Sequence, residues 1–160
     1  VMGGLKGAET RASTRGQKLS RHSLTLAEKQ IIQAVLQDSG IAASLQQFMA
    51  SDFLSEIRSG PVIRKLIGDP ETGIESALEG LDDSALAGEV RAAAMEPFGR
   101  IRPEVAIVSM GQLYHDHLTR KEKEIREQLK AYGPGAAPAD LVRRQMEIAS
   151  EKARLKAIRP

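Results

Sequence analysis

The sequence predicts an all-α fold, on three observations. Aromatic residues are scarce, at 3%, with no Trp, two Tyr and three Phe. The core must therefore be built from Leu, Ile, Val, Ala and Met, which suits helix-on-helix packing better than sheets. Apolar residues recur at helical intervals, and no strand pattern of convincing length is present. Helix start and stop signals punctuate the chain from Leu24 onward. The apolar content of 41% over 160 residues is enough for one core, with room for a small appendage.

Each element has a local reason. Residues 1–23, rich in Gly, Ser, Thr and basic side chains, read as a flexible basic linker. Thr25-Leu26-Ala27-Glu28 is a capping-box pattern that opens a helix carrying Ile31, Ile32, Val35 and Leu36 on one stripe. Ser39-Gly40 stops it. A second helix over 41–49 offers Ile41, Leu45, Phe48 and Met49. Ser51 is placed to cap a third, with Phe53, Leu54 and Ile57 apolar. Gly60-Pro61 starts a fourth, since Pro fits a first helical turn. Gly68-Asp69-Pro70 ends it, and two more helices follow over 74–80 and 83–95. Residues 96–103 form a connector with Pro97, Gly99 and Pro103. The longest stretch runs from Pro103 to Tyr132, with residues 105–108 (VAIV) read as buried helix. The run GPGAAP (133–138) is a stiff reversal before a last helix over 138–158.

The charge is unevenly spread. The net +2 hides +4 over residues 1–24, −7 over 25–117 and +5 over 118–160. Such asymmetry argues for parts with separate surfaces and a partner that meets only one of them. The division expected is a bundle of about six helices at 24–117 and a protruding helical hairpin at 118–160. In that hairpin Leu118, Ile125, Leu129 and Tyr132 would face Val142, Met146, Ala149 and Ala153, spaced four, three and four. Leu141, Ile148 and Leu155 form a neighbouring row at heptad intervals.

Several function classes find no support. There is no Cys, hence no disulfide or thiolate metal site, which is compatible with a reducing cytoplasmic setting. No run of 18 apolar residues predicts a membrane span, and no secretory h-region is present. An opening Val in place of Met suggests a fragment or a processed chain. No HExxH, EF-hand, GxSxG or Walker sequence occurs. His115 and His117, two apart on a helix, project about 200° apart and do not readily chelate one ion. The carboxylates Asp69, Glu71, Glu75, Glu79, Asp82 and Asp83 read as a solvated face. Lys and Arg on the hairpin suggest phosphate contacts, but Glu147 and Glu151 interrupt them and no aromatic is interleaved for base stacking. No catalytic residue, metal or cofactor is therefore expected.

The stretches LTLAEKQIIQAVLQDSG and FMASDFLSEIRSGPVIRKLIG, the long helix, the GPGAAP reversal and the final charged helix resemble the C-terminal region of bacterial primases. Glu28 matches the glutamate of that family's first helix, Asp52-Phe53 its "DF" helix, and Arg64 the basic residue of the short helix that follows. The zinc-binding cysteines and acidic metal motifs of a whole primase are absent. The resemblance implies a non-catalytic region that docks onto the replicative DNA helicase. The contact it suggests is apolar, through Leu141, Ile148 and Leu155, oriented by Arg143, Arg144 and Arg154 against acidic patches. Two alternatives are a nucleic-acid-binding helical module and the N-terminal domain of a replicative helicase, which shares the bundle architecture.

Overall fold

The computed structural model describes residues 23–158, and the expected basic linker lies outside them apart from Ser23. Among the described residues there are seven α-helices and no strand. They are α1 (Leu26–Gln37), α2 (Ile41–Leu45), α3 (Gly60–Gly68), α4 (Ile74–Leu78), α5 (Ser84–Ala94), α6 (Pro103–Leu129) and α7 (Ala139–Lys156). Two 3-10 turns, Gln46–Phe48 and Phe53–Glu56, lie between α2 and α3. None of these helices is long and apolar enough to cross a membrane.

Helix α1 is the axis of the bundle. Its capping box is complete: Thr25 Oγ1 accepts from the Glu28 amide at 3.2 Å, and Glu28 Oε1 accepts from the Thr25 amide at 2.7 Å. The second Glu28 oxygen accepts from the Ser59 hydroxyl, so this buried carboxylate has partners on both sides. Ile31, Ile32, Ala34 and Val35 are buried against α6, α5 and α3. Two glutamines one turn apart tie the connector after α5 to α1. Gln33 Nε2 donates to the carbonyls of Ala93 and Glu96, at 3.0 and 2.8 Å. Gln37 donates to Gly99 O at 2.6 Å and accepts from the Ile101 amide at 2.8 Å.

Four local expectations need correction. The helix expected over 41–49 tightens into a 3-10 turn after Leu45. The segment beginning near Ser51 is a 3-10 turn, with Asp52 at its N-cap position and no side-chain cap. The reason lies at Gly60, whose ideal Cβ would fall 1.5 Å from Leu54 O: the chain folds back on itself too closely for a longer helix there. Of VAIV, only Ala106 is buried, and Val108 faces outward. Helix α6 ends at Leu129, three residues early.

Helix α6 spans about 40 Å at about 1.5 Å per residue, more than the bundle's helices cover. It passes unbroken through Gly111 and through the expected boundary at 117/118. Its first half completes the bundle core with Ala106, Met110, Leu113 and Tyr114. The second half pairs with α7 as an antiparallel hairpin, and the last turns of α7 come back beside the first half of α6, where Leu155 and Phe48 border one pocket. Gly135, at φ 75°, turns the reversal in a conformation that glycine adopts freely. Beyond Leu118 the buried apolar residues are Ile125, Ile148 and Leu155 alone among those described. All three belong to the same continuous core as the bundle.

Candidate protein-interaction surface

The hairpin's two helices meet through the opposite row of α7 from the one expected. Ile148 and Leu155 turn inward, 9% and 8% exposed, against α6. Val142 and Met146 turn outward, 39% and 67% exposed, and Ala149 and Ala153 share their exposure. The physical reason is area: burying Ile and Leu removes far more apolar surface from water than burying two alanines. Ile148 and Leu155 are therefore not available to a partner, and Leu141 is only half-exposed. The apolar row that faces solvent is Val142, Met146, Ala149 and Ala153, with exposed Tyr132 at the tip.

The three expected arginines remain on the surface, but not all on the side of that row. Arg143 pairs with Asp140 at 2.7 Å, and Arg154 with Glu151 at 2.7 Å, each one turn apart on α7. Arg144 lies on the opposite flank and lines a groove of about 440 Å³ between α6 and α7. The Glu151 partner raises the Arg154 pKa, and the Arg154 hydrogen bond in turn lowers the Glu151 carboxyl. Across the hairpin Lys152 donates to Glu122 at 2.9 Å, and this bond lowers the Glu122 pKa. Of these pairs only Lys152–Glu122 joins the two helices; the other two run along α7, while the apolar row faces solvent.

A second cluster forms where the hairpin leaves the bundle. Phe53, on the 3-10 turn, stacks on Tyr114 of α6, with centroids 4.1 Å apart and planes 13° from parallel. His117 lies one turn on, buried, with Nε2 3.1 Å from Glu56 Oε1. Lys121 reaches the same carboxylate at 3.5 Å. Asp52 pairs with Arg64, so three of the four residues matched to the primase pattern, Asp52, Phe53 and Arg64, lie here. The fourth, Glu28, serves the capping box and Ser59 instead. Among the described residues no group of three His, Cys, Asp or Glu is placed to hold a metal. His115, half-exposed, sits apart from His117 on the helix.

The acidic middle is also held together by its charges. Arg58 binds Asp83 and Glu89, at 3.0 and 3.3 Å, while Arg91 binds Glu75 at 3.0 Å. Asp83 caps α5 by accepting from the Leu86 amide. Two of the six carboxylates read as a solvated face are thus structural.

Burial pushes the His117 pKa below its ordinary 6.5, helped by Arg120 and Lys121 and opposed by Glu56 and Glu124. A depressed folded-state pKa means that the unfolded chain takes up the proton first. The stability is present above the ordinary value and is lost as pH falls from about 6.5 toward the folded value. Thermal melts at pH 7 and pH 5 are expected to show a drop that His117→Gln reduces. An equal drop in the variant would assign the effect to other groups.

Comparison with known protein families, curated proteins and solved structures finds no match to this chain.

Proposed function

We propose that this chain is a non-catalytic docking domain of the primase C-terminal type. It binds the replicative DNA helicase in the cytoplasm and couples primer synthesis to unwinding. One observation carries the reading: an apolar row on α7, Val142, Met146, Ala149 and Ala153, faces solvent on the side of the helix turned away from the core. Exposed apolar patches of this kind, rimmed by charge, mark protein–protein contacts. The order of helices and the Asp52–Arg64 pair support the primase resemblance. Five of the ten described Lys and Arg of the hairpin pair with its own acids, through Arg126–Glu122, Lys130–Glu127, Arg143–Asp140, Lys152–Glu122 and Arg154–Glu151. This favours a protein partner over nucleic acid, which draws on unpaired positive charge. Docking at such a surface is modest in area and gains association rate from charge. Tethering to a polymerase lets a weak contact suffice.

The test is co-elution with the replicative helicase in gel filtration. Val142→Asp combined with Met146→Asp places two charges in the apolar row without touching the core. The pair is expected to weaken docking by about 3 kcal/mol, more than 100-fold, and to abolish co-elution. Undiminished co-elution would move the contact to the bundle.

A further inference from the structure

We propose that the exposed row of α7 also takes a second copy of this chain, α7 against α7 in an antiparallel, two-fold register. Val142 and Met146 are 39% and 67% exposed, and Ala149 and Ala153 continue the row toward the end of the helix. Its spacing of four, three and four is the spacing at which one helix lays a seam along another.

The order of sizes along the row selects the occupant. Two larger side chains are followed by two small ones, and the row is symmetric about the midpoint between residues 147 and 148. An antiparallel twin centred there sets Val142 of one copy on Ala153 of the other, and Met146 on Ala149, each pair occurring twice. Every layer then holds one larger and one small side chain, so the helices interdigitate at an even separation. A parallel twin would stack Met146 on Met146 and Ala149 on Ala149, wide at one end and hollow at the other. The antiparallel contact is isologous, each surface being its own complement, and it closes at two copies.

The charges of α7 fit the same register. At about 100° per residue, one flank of the row carries Arg143, Ser150 and Ala157, and the other Gln145 and Lys152. Antiparallel packing sets each flank against its like. Arg143 then faces Ser150 and Ala157 of the twin, Lys152 faces Gln145, and Lys156 at the end of the seam lies over Ala139. No two cations oppose each other. Asp140, Glu147 and Glu151 lie on the far side of the helix, and the pairs of Arg143, Lys152 and Arg154 with their own acids stay in place. One helix on one helix buries less than about 1,200 Å², the class of transient contacts. The dimer is accordingly weak, with a Kd on the order of 100 μM. It does not rest on the helicase reading, but the row is the same, so self-pairing and docking exclude each other.

The test is sedimentation equilibrium of the whole chain from about 10 μM to about 1 mM, on either side of the expected Kd. A dimer is expected in the upper part of that range, insensitive to added salt, and none in Met146→Asp, at a position that faces solvent. The register is read with cysteines, since the chain has none of its own. Met146→Cys and Ala149→Cys are mixed and oxidised, and the mixed disulfide is expected to exceed the two self-disulfides together several-fold. A monomer at the highest concentration, a dimer that survives Met146→Asp, or self-disulfides together as abundant as the mixed one would overturn the proposal. The chain is alone in these experiments, so their failure and a failure of helicase co-elution are told apart.

Discussion

Gly60→Ala is expected to destabilise the protein by about 3 kcal/mol or more, lowering the melting temperature by about 10 °C. The cause is local and rigid. The added Cβ would fall 1.5 Å from Leu54 O and 2.5 Å from Leu54 C, and both are backbone atoms. A flexible side chain can move aside, but here the crossing of the 3-10 turn over the start of α3 must reopen. That crossing carries Phe53, Leu54 and Ile57 into the core and sets Phe53 on Tyr114. Gly88→Ala is the matching control. Gly88 lies inside α5 with nothing within 4 Å of its added Cβ. There alanine's higher helix propensity is expected to stabilise by about 0.5–1 kcal/mol. Urea melts of the two variants separate close approach from propensity; equal effects would contradict the fold-back at residues 54–60.

Leu155→Asp is expected to cost about 3 kcal/mol and to release the last turns of α7. Leu155 is 8% exposed and belongs to the common core, so a carboxylate there is taken out of water among apolar neighbours. Met146→Asp, nine residues earlier on the same helix, is expected to change stability by less than about 0.5 kcal/mol, because it faces solvent. The contrast assigns opposite faces of α7 to folding and to docking. A large loss from Met146→Asp with a small one from Leu155→Asp would reverse that assignment. The same argument means that deleting α7 from Tyr132 onward would uncover Leu118 and Ile125, so truncation is a poor test of docking alone.

Much of the fold is legible in the residues. The Thr25–Glu28 box, the Gly-Pro at 60–61 and the GPGAAP reversal act through local geometry, so each signals its helix boundary without knowledge of the rest. The face of α7 was harder, because two rows of residues satisfy the same periodicity. Side-chain area distinguishes them: Ile148 and Leu155 outweigh Ala149 and Ala153, and a long helix with one partner buries the larger pair. The Gln33 and Gln37 bonds to the connector were not legible, since their acceptors are backbone carbonyls more than 55 residues away. Tyr114 was equally silent. Its placement depends on the Gly60 fold-back that brings Phe53 over it, a long-range consequence of one missing side chain.

Backbone amide hydrogen exchange, with and without the replicative helicase, tests the docking account most directly. Added helicase is expected to slow exchange over 139–153 and around Tyr132, leaving α4 and α5 unchanged. Protection confined to α4 and α5, or none anywhere, would contradict it.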